Sequence, residues 1–356
     1  MQRSFDTYIP EGNKMQKQSA YSRAGIDIDN KMAALRAVKK LVKSTAVPGQ
    51  ICEIGSFGGM FASPGREMAL IASTDGVGTK LKVAVLAGRH DTVGQDIVNH
   101  CVNDILVHGA RPLFFMDYFA TARFDGKTFR QVVSGLCRAC RENACALLGG
   151  ETAEMPGLYP MGEYDLVGTI VGAVDRKKII NGRSVRPGDV IIGLPSSGLH
   201  TNGYSLARKI IFEDGHFKPD DILPGVGRKA GAALLAVHRS YLRPVGALME
   251  RVKIKAMAHI TGGGYQDNIP RILPPGVDAL IDRSAWTPPA IFRFLEERGR
   301  VGREEMYRVF NMGMGMVIII APGDVSPALG MLGRSCPGAR VIGRIEKGRR
   351  ATRLLN

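Results

Sequence analysis

At 356 residues, with 45% apolar and 23% charged residues, the chain has a globular composition and enough length for two domains, each with its own core. No apolar run approaches the ~20 residues that cross a bilayer, and no signal-peptide core is visible, so a cytoplasmic protein with no membrane partner is expected. The net charge of +15 invites nucleic acid, but Lys and Arg are spread along the chain and no Arg/Lys run interleaves with aromatics, which fits attraction of small anionic metabolites at least as well as it fits DNA, and no nucleic-acid partner is expected.

Residues 1–20 are mostly polar and read as a flexible N-terminal segment. Residues 30–43 carry Met32, Leu35, Val38, Leu41 and Val42 at helical spacing. The glycines of residues 54–61, Gly58 and Gly59 among them, suit either a mobile flap over a ligand or a plain hairpin. An apolar strand over 68–72 then runs into Ser73-Thr74-Asp75-Gly76-Val77-Gly78-Thr79-Lys80-Leu81, ahead of a helix over 81–86. Glycines let backbone N–H groups approach an anion, Lys80 offers charge, Thr79 a hydroxyl, and Asp75 a ligand for a divalent cation. The stretch fits a triphosphate–magnesium site, and taken alone it also fits an ordinary Asp-Gly turn.

Residues 94–109 form the most legible helix. Ile97, Val98, Cys101, Val102, Ile105 and Leu106 make its apolar ridges, and Asp96, Asn99, His100, Asn103 and Asp104 fill the other face. Asp96 and Asp104 lie ~12 Å apart along the axis and cannot both grip one ion directly. A solvated face and a functional one remain open for these polar residues. A strand over 113–119, a helix over 128–144 and a strand over 145–148 follow. The last ends in Gly149-Gly150-Glu151, repeating the pattern of an apolar strand running into glycine and an acid. Together the three segments can converge on one metal-bound polyphosphate.

A strand over 165–174 precedes a polar break, and the domain boundary is placed there. Residues 21–174 form an ATP- and metal-side domain, and residues 175–356 a substrate-side domain. In the second half, a strand over 189–194 leads into Ser196-Ser197-Gly198-Leu199-His200-Thr201-Asn202-Gly203 and a helix over 204–213. A small-residue loop before a helix offers free N–H groups to an anion, and a plain capped turn is the alternative. The same layout recurs where residues 256–260 lead into Thr261-Gly262-Gly263-Gly264 and a helix over 265–273. The Met-Gly alternation of residues 312–316 reads as tight packing before a strand over 317–320.

Cys137 and Cys140 form a C-x-x-C with no second pair and no nearby histidine, so they read as buried small hydrophobes. His90, His108, His216, His238 and His259 show no metal-ligand spacing and read as structural or surface residues. No P-loop, G-x-S-x-G or H-E-x-x-H occurs.

Taken in order, Thr74 to Leu81, Val102-Asn103-Asp104, Gly149-Gly150-Glu151-Thr152-Ala153-Glu154-Met155-Pro156, the Ser196–Ser205 loop, Ile260-Thr261-Gly262-Gly263-Gly264 and Glu305-Met306-Tyr307-Arg308-Val309-Phe310-Asn311 resemble the phosphoribosylformylglycinamidine cyclo-ligase (aminoimidazole ribonucleotide synthetase) family. The likeness runs from about Tyr21 onward. It implies ATP-dependent ring closure of formylglycinamidine ribonucleotide in purine synthesis, with ATP as co-substrate, Mg2+, and a K+ requirement left open. It also implies two α+β domains, the first pairing in a homodimer through a shared β-barrel and the second a mixed α/β layered domain.

By the same resemblance Asp75, Asp104 and Glu151 are metal ligands. Gly58, Gly59, Gly76, Val77, Gly78, Thr79, Lys80 and Asn103 lie on the nucleotide side. Ser196, Ser197, Gly198, His200, Asn202, Thr261, Gly262 and Gly263 serve the ribonucleotide phosphate, and Asp75, Lys80 and His200 are the catalytic set. Two departures are visible: Ser22 stands where relatives carry Lys, with Arg23 beside it, and the glycine flap matches only in part. A sister selenophosphate synthetase or thiamine-phosphate kinase, a basic nucleic-acid-binding protein and a scaffold without catalysis are the competing readings.

Overall fold

The computed structural model describes residue 51 and residues 59–63, 65 and 67–355. The expected segment 1–20, the helix over 30–43, Ser22, Arg23, Gly58 and most of the glycine flap lie outside the described residues.

Two sheets organise the chain. The first contains β1 (Gly59–Ala62), β2 (Met68–Gly76), β3 (Arg111–Thr121), β4 (Ala146–Glu154) and β5 (Tyr164–Asp175), in the order β1-β2-β5-β3-β4. Only the β3–β4 pair is parallel. On β5 burial alternates strictly, the signature of a sheet with one face on a core. That core is closed by α1 (Lys80–Ala87), α2 (Asp91–Leu106) and α3 (Gly126–Glu142). Asp125 caps α3 by accepting from the N–H groups of Lys127 and Thr128. Cys140 is buried on α3, with its thiol free.

The position of α2 is fixed by close backbone contact with α3. A Cβ on Gly94 would stand 2.2 Å from the Val132 carbonyl oxygen, and one on Gly135 would stand 2.2 Å from that of Asp91. Only glycine allows this approach. The apolar ridges of α2 then pack on the sheet, with Ile97, Val98, Cys101, Val102, Ile105 and Leu106 all fully buried.

The second sheet takes β6 (Val190–Pro195), β7 (Ala256–His259), β8 (Val277–Asp282), β9 (Met314–Ile320), β10 (Arg340–Lys347) and β11 (Thr352–Leu355) in the order β11-β8-β10-β6-β9-β7. Around it lie α4 (Tyr204–Arg208), α5 (Ala230–Leu234), α6 (Leu242–Met249), α7 (Gly264–Asn268), α8 (Ala290–Gly299), α9 (Arg303–Val309) and α10 (Val325–Ser335). The chain passes from one sheet to the other between Asp175 and Val190. This is a two-domain α+β architecture.

Several expectations are revised. The strand over 145–148 does not stop at the glycines: β4 continues through Gly149, Gly150 and Glu151 to Glu154, paired with β3. Gly150 allows this, because a Cβ there would meet the Asp117 carbonyl oxygen at 2.6 Å. The helix over 204–213 turns π-helical at Lys209–Glu213, and that over 265–273 becomes 3-10 at Ile269–Ile272, where Pro270 removes a backbone donor. The polar face of α2 is not solvated: Asp96, Asn99, His100, Asn103 and Asp104 are all buried.

Candidate functional site

What covers the polar face of α2 is the segment 236–241 of the second half. Asp96 Oδ1 accepts from His238 N–H at 2.7 Å, and Asn99 Nδ2 donates to the His238 carbonyl at 2.7 Å. Asn103 Oδ1 accepts from Tyr241 N–H at 2.9 Å, while its Nδ2 donates to the Arg239 carbonyl at 2.8 Å. Backbone groups that have no ladder to join need partners, and the side chains of α2 supply them. Asn103 is thus taken up in joining the two halves rather than presented to a nucleotide.

The Asp75 turn lies beside this seam. Gly76 N–H donates to Asp75 Oδ1 at 2.7 Å, Val77 is buried, and Gly78 (φ +70°) makes the turn that a side chain would strain. Thr79 Oγ1 lies 3.1 Å from Ser205 Oγ of the second half. Lys80 departs from its expected role. Its ammonium is fully buried, 2.7 Å from Asp96 Oδ2, and donates to the carbonyls of His200 (3.1 Å) and Ala236 (2.8 Å). All three donors are engaged, so none reaches a phosphate. Burial pushes the Lys80 ammonium down and the Asp96 carboxyl up, each partly restored by the other.

Asp75 is the half-exposed member of a buried cluster. Its Oδ2 lies 2.9 Å from His100 Nε2, which lies 3.5 Å from Asp104 Oδ2. Ser73 Oγ donates to Asp104 Oδ2 at 3.1 Å, and Asp104 Oδ1 lies 2.8 Å from His259 Nδ1. His259 Nε2 is 3.1 Å from His238 Nε2, His238 Nδ1 is 3.4 Å from Thr201 Oγ1, and Thr201 Oγ1 is 2.7 Å from His100 Nδ1. The contacts close a ring through both halves. Burial opposes charge on Asp75 and on His100, but their attraction wins. The Asp75 carboxyl is held down at about 2, and the His100 ring is pushed up to about 9. His238 and His200 are held well below the ordinary histidine range, first by burial.

Two further site expectations change. His200 is buried, adopts φ +62°, and stacks on His238 with ring centroids 3.9 Å apart, so its side chain faces inward rather than a substrate. Glu151 does not join Asp75 within the chain. Asp75, Gly168, Asp117 and Gly150 are aligned across β2-β5-β3-β4, which puts Glu151 on the opposite face. Three strand spacings, about 14 Å, also intervene.

On the second half, the two glycine-bearing loops are joined by Asn202, whose Oδ1 accepts from Gly262 N–H at 3.0 Å. The Asn202 Nδ2 donor is buried with no partner among the described residues. Ser197 N–H donates to His200 Nε2 at 3.3 Å, and the Ser196 hydroxyl lies 2.9 Å from both the Gly198 carbonyl and Asn311 Oδ1. The Ser196 hydroxyl is therefore held inside the loop. Thr261 Oγ1 lies 3.3 Å from Asn268 Oδ1, and Gly263 (φ +92°) turns the chain into α7.

His238 and His259 are the members of the cluster that spacing did not reveal. They come from different loops and meet His100 of α2 only after folding. The one sequence signal was that His200 and His259 each sit where a strand of the second half runs into a glycine-bearing loop.

Comparisons with known proteins bear on this geometry. Residues 58–174 match the N-terminal domain of AIR synthase related proteins, and residues 186–356 match the C-terminal domain. Phosphoribosylformylglycinamidine cyclo-ligase of Geobacter metallireducens is 49% identical over 334 residues, covering 93% of this chain and 96% of that protein. That of Alkaliphilus oremlandii is 46% identical over 331 residues, covering 92% and 97%. The chain belongs to the phosphoribosylformylglycinamidine cyclo-ligase family.

The fold extends beyond the cyclo-ligases. A thiamine monophosphate kinase from Aquifex aeolicus superposes with a TM-score of 0.61 at 15% identity, over 92% of this chain and 98% of that one. Hydrogenase maturation protein HypE, solved in complex with ATP, superposes at 0.59 and 17% identity, over 93% and 92%. At such identities the likeness concerns the fold alone. No described helix is long and apolar enough to cross a membrane.

Proposed function

We propose that the chain is an ATP-dependent cyclo-ligase that closes formylglycinamidine ribonucleotide to aminoimidazole ribonucleotide, releasing ADP and phosphate, in cytoplasmic purine synthesis. The observation that carries this reading is 46–49% identity to curated cyclo-ligases across more than nine-tenths of the chain, with the clustered motifs meeting at the seam between the halves.

In this reaction the formyl oxygen attacks the γ-phosphorus and ADP leaves. An internal nitrogen then attacks the activated formyl carbon, phosphate leaves, and the nitrogen gives up its proton as the imidazole closes. The protein's part is positioning and charge stabilisation. The Asp75–Thr79 turn of the first half faces the nucleotide, with Gly76 and Gly78 as the backbone approaches. Asn202 and the loop at Thr261-Gly262-Gly263 serve the ribose phosphate, for which Asn202 Nδ2, without a partner among the described residues, is a ready donor.

A half-exposed Asp75 beside a buried Asp104 suits a hard cation that keeps several waters and shares phosphate oxygens. Asp75 and Asp104 would hold magnesium, which when bound neutralises charge developing on the phosphate oxygens. Lys80 acts through position: its pair with Asp96 ties the turn to His200 and Ala236.

The proposed homodimer rests on the first sheet. The helices α2 and α3 cover one face, and no described helix covers the other, where Phe61, Met116 and Leu148 are 45, 38 and 63% exposed. Such an apolar face fits pairing with a second copy. Substrate-dependent ADP release tests the reaction. Turnover with another acceptor, and none with this ribonucleotide, would overturn it.

A further inference from the structure

The short basic run Arg176-Lys177-Lys178 takes no part in the proposed reaction, and it opens the link between the two sheets. That link is docked on both sides. Ile180 N–H donates to the His108 carbonyl at 3.1 Å, just past the end of α2. Gly182 (φ +77°) lies so close to the second half that a Cβ there would stand 1.9 Å from the Ile272 carbonyl oxygen. Between these contacts remains a cavity of about 530 Å³, walled by the end of α2, the link and residues of the second half. It lies apart from the Asp75 cluster. The strand β7 starts in its wall at Ala256 and reaches His259 three residues on, about 10 Å along the strand.

The lining has two characters. Val107 and Met257 belong to an apolar floor, whereas Arg176, Arg183 and Arg271 bring positive charge, and no carboxylate among the described residues lines the cavity. Arg176 and Arg183 are exposed, and neither guanidinium has an ion pair or hydrogen bond with a described residue. Arg271 is oriented by its Nε, which donates to the Asp267 carbonyl at 3.0 Å. Next to it the Pro270 carbonyl accepts from Arg350 Nε at 3.0 Å, which brings a further cation to this side of the molecule. Cations gathered around one opening repel each other, and an anion held between them relieves that repulsion.

His108 is a second and independent sign of a ligand. It lines the cavity and is only 7% exposed. Neither of its ring nitrogens has a hydrogen-bond partner among the described residues, although the Ile180 carbonyl stands nearby. Buried polar side chains are nearly always hydrogen-bonded, and an imidazole has an N–H to give. An occupant of the cavity can take the donor that the protein leaves unused.

We propose that this cavity is a second anion site, separate from the reaction site, that takes a small phosphomonoester with a compact apolar body. Arg176 and Arg183 hold the phosphate, His108 turns a ring N–H onto it, and the body lies on Val107 and Met257. A guanidinium matches two phosphate oxygens at once, and two of them balance the charge of about −2 that a phosphomonoester carries at neutral pH. Small-molecule sites usually measure about 300–1,000 Å³, and a bare phosphate ion would leave most of this cavity unfilled.

The test is calorimetric titration of the full chain, in buffer free of phosphate and sulfate, with phenyl phosphate, a probe that is neither a nucleotide nor a ribose phosphate. One molecule should bind per chain, at least ~10-fold more tightly than inorganic phosphate. Arg183→Ala, at an exposed position, and His108→Leu should each weaken binding by ~10-fold or more, whereas Asn202→Ala should leave it unchanged. Without ligand, His108→Leu should melt at or above the wild-type temperature, because it removes a buried polar group that lacks a partner. No binding by the wild-type chain, or inorganic phosphate binding as tightly as the probe, would overturn the proposal. So would binding that is lost in Asn202→Ala and kept in Arg183→Ala, which would place the probe at the ribonucleotide loop. A lower melting temperature in His108→Leu would make the ring structural and remove it from the site.

Discussion

Lys80 and Asp96 form a fully buried ion pair, and such pairs are sensitive to losing one member. Lys80→Met leaves the Asp96 carboxylate uncompensated and should destabilise the fold by about 3–5 kcal/mol in urea unfolding. Adding Asp96→Leu should recover part of that loss, because the second charge is then removed too. No recovery in the double variant would contradict a pairwise account. At Asp75, Asp75→Asn keeps the shape but removes the negative charge, and it should abolish turnover with the fold intact by circular dichroism. Near-normal activity would take Asp75 out of the mechanism.

The His100–Asp75 pair gives a pH prediction for the metal-free chain. The His100 pKa is raised to about 9, so its contribution to stability is complete below the unfolded value near 6.5 and fades as pH rises through about 9. The Asp75 pKa is lowered to about 2, so its contribution is complete above the unfolded value near 3.8 and fades as pH falls through about 2. Both are complete between about pH 4 and 6.5. Raising pH from 6.5 to 9 should cost on the order of 2 kcal/mol, reduced by the solvent screening of half-exposed Asp75. His100→Gln should flatten that slope, and an unchanged slope would contradict the pairing.

At the scale of elements, α2 is the part on which the site depends. Its apolar ridges faced the right way on spacing alone, and the Asp75 turn was legible because an apolar strand, two glycines and a helix follow one another directly between residues 68 and 86. The histidine ring was not legible. His100, Thr201, His238 and His259 come from four segments, and only the docking of segment 236–241 on α2 brings them together. The placement of Glu151 was not legible for a related reason: glycine signals a strand end in sequence, but here Gly150 lets β4 lie close to β3 and the strand runs on. The crossing of α2 and α3 is testable. Gly94→Val places a side chain where even a Cβ would meet backbone at 2.2 Å, and it should cost about 1–3 kcal/mol or more. Turnover should fall with it, because α2 carries His100 and Asp104. Wild-type stability in Gly94→Val would contradict the close approach.

Across the whole molecule, the two sheets are joined through side-chain hydrogen bonds from α2 and Lys80 to backbone of the second half. The two halves therefore move as one body wherever those bonds hold. Sedimentation at micromolar concentration should give a dimer, and Leu148→Glu on the open sheet face should shift it toward monomer; a wild-type chain that is only monomeric would contradict the pairing. The central claim is that the seam uses ATP to close a ring on one particular ribonucleotide. Steady-state ADP release, measured with and without formylglycinamidine ribonucleotide, tests it most directly. The account predicts release that depends on that substrate and yields one aminoimidazole ribonucleotide per ADP. ADP release indifferent to the substrate, or none at all, would contradict it.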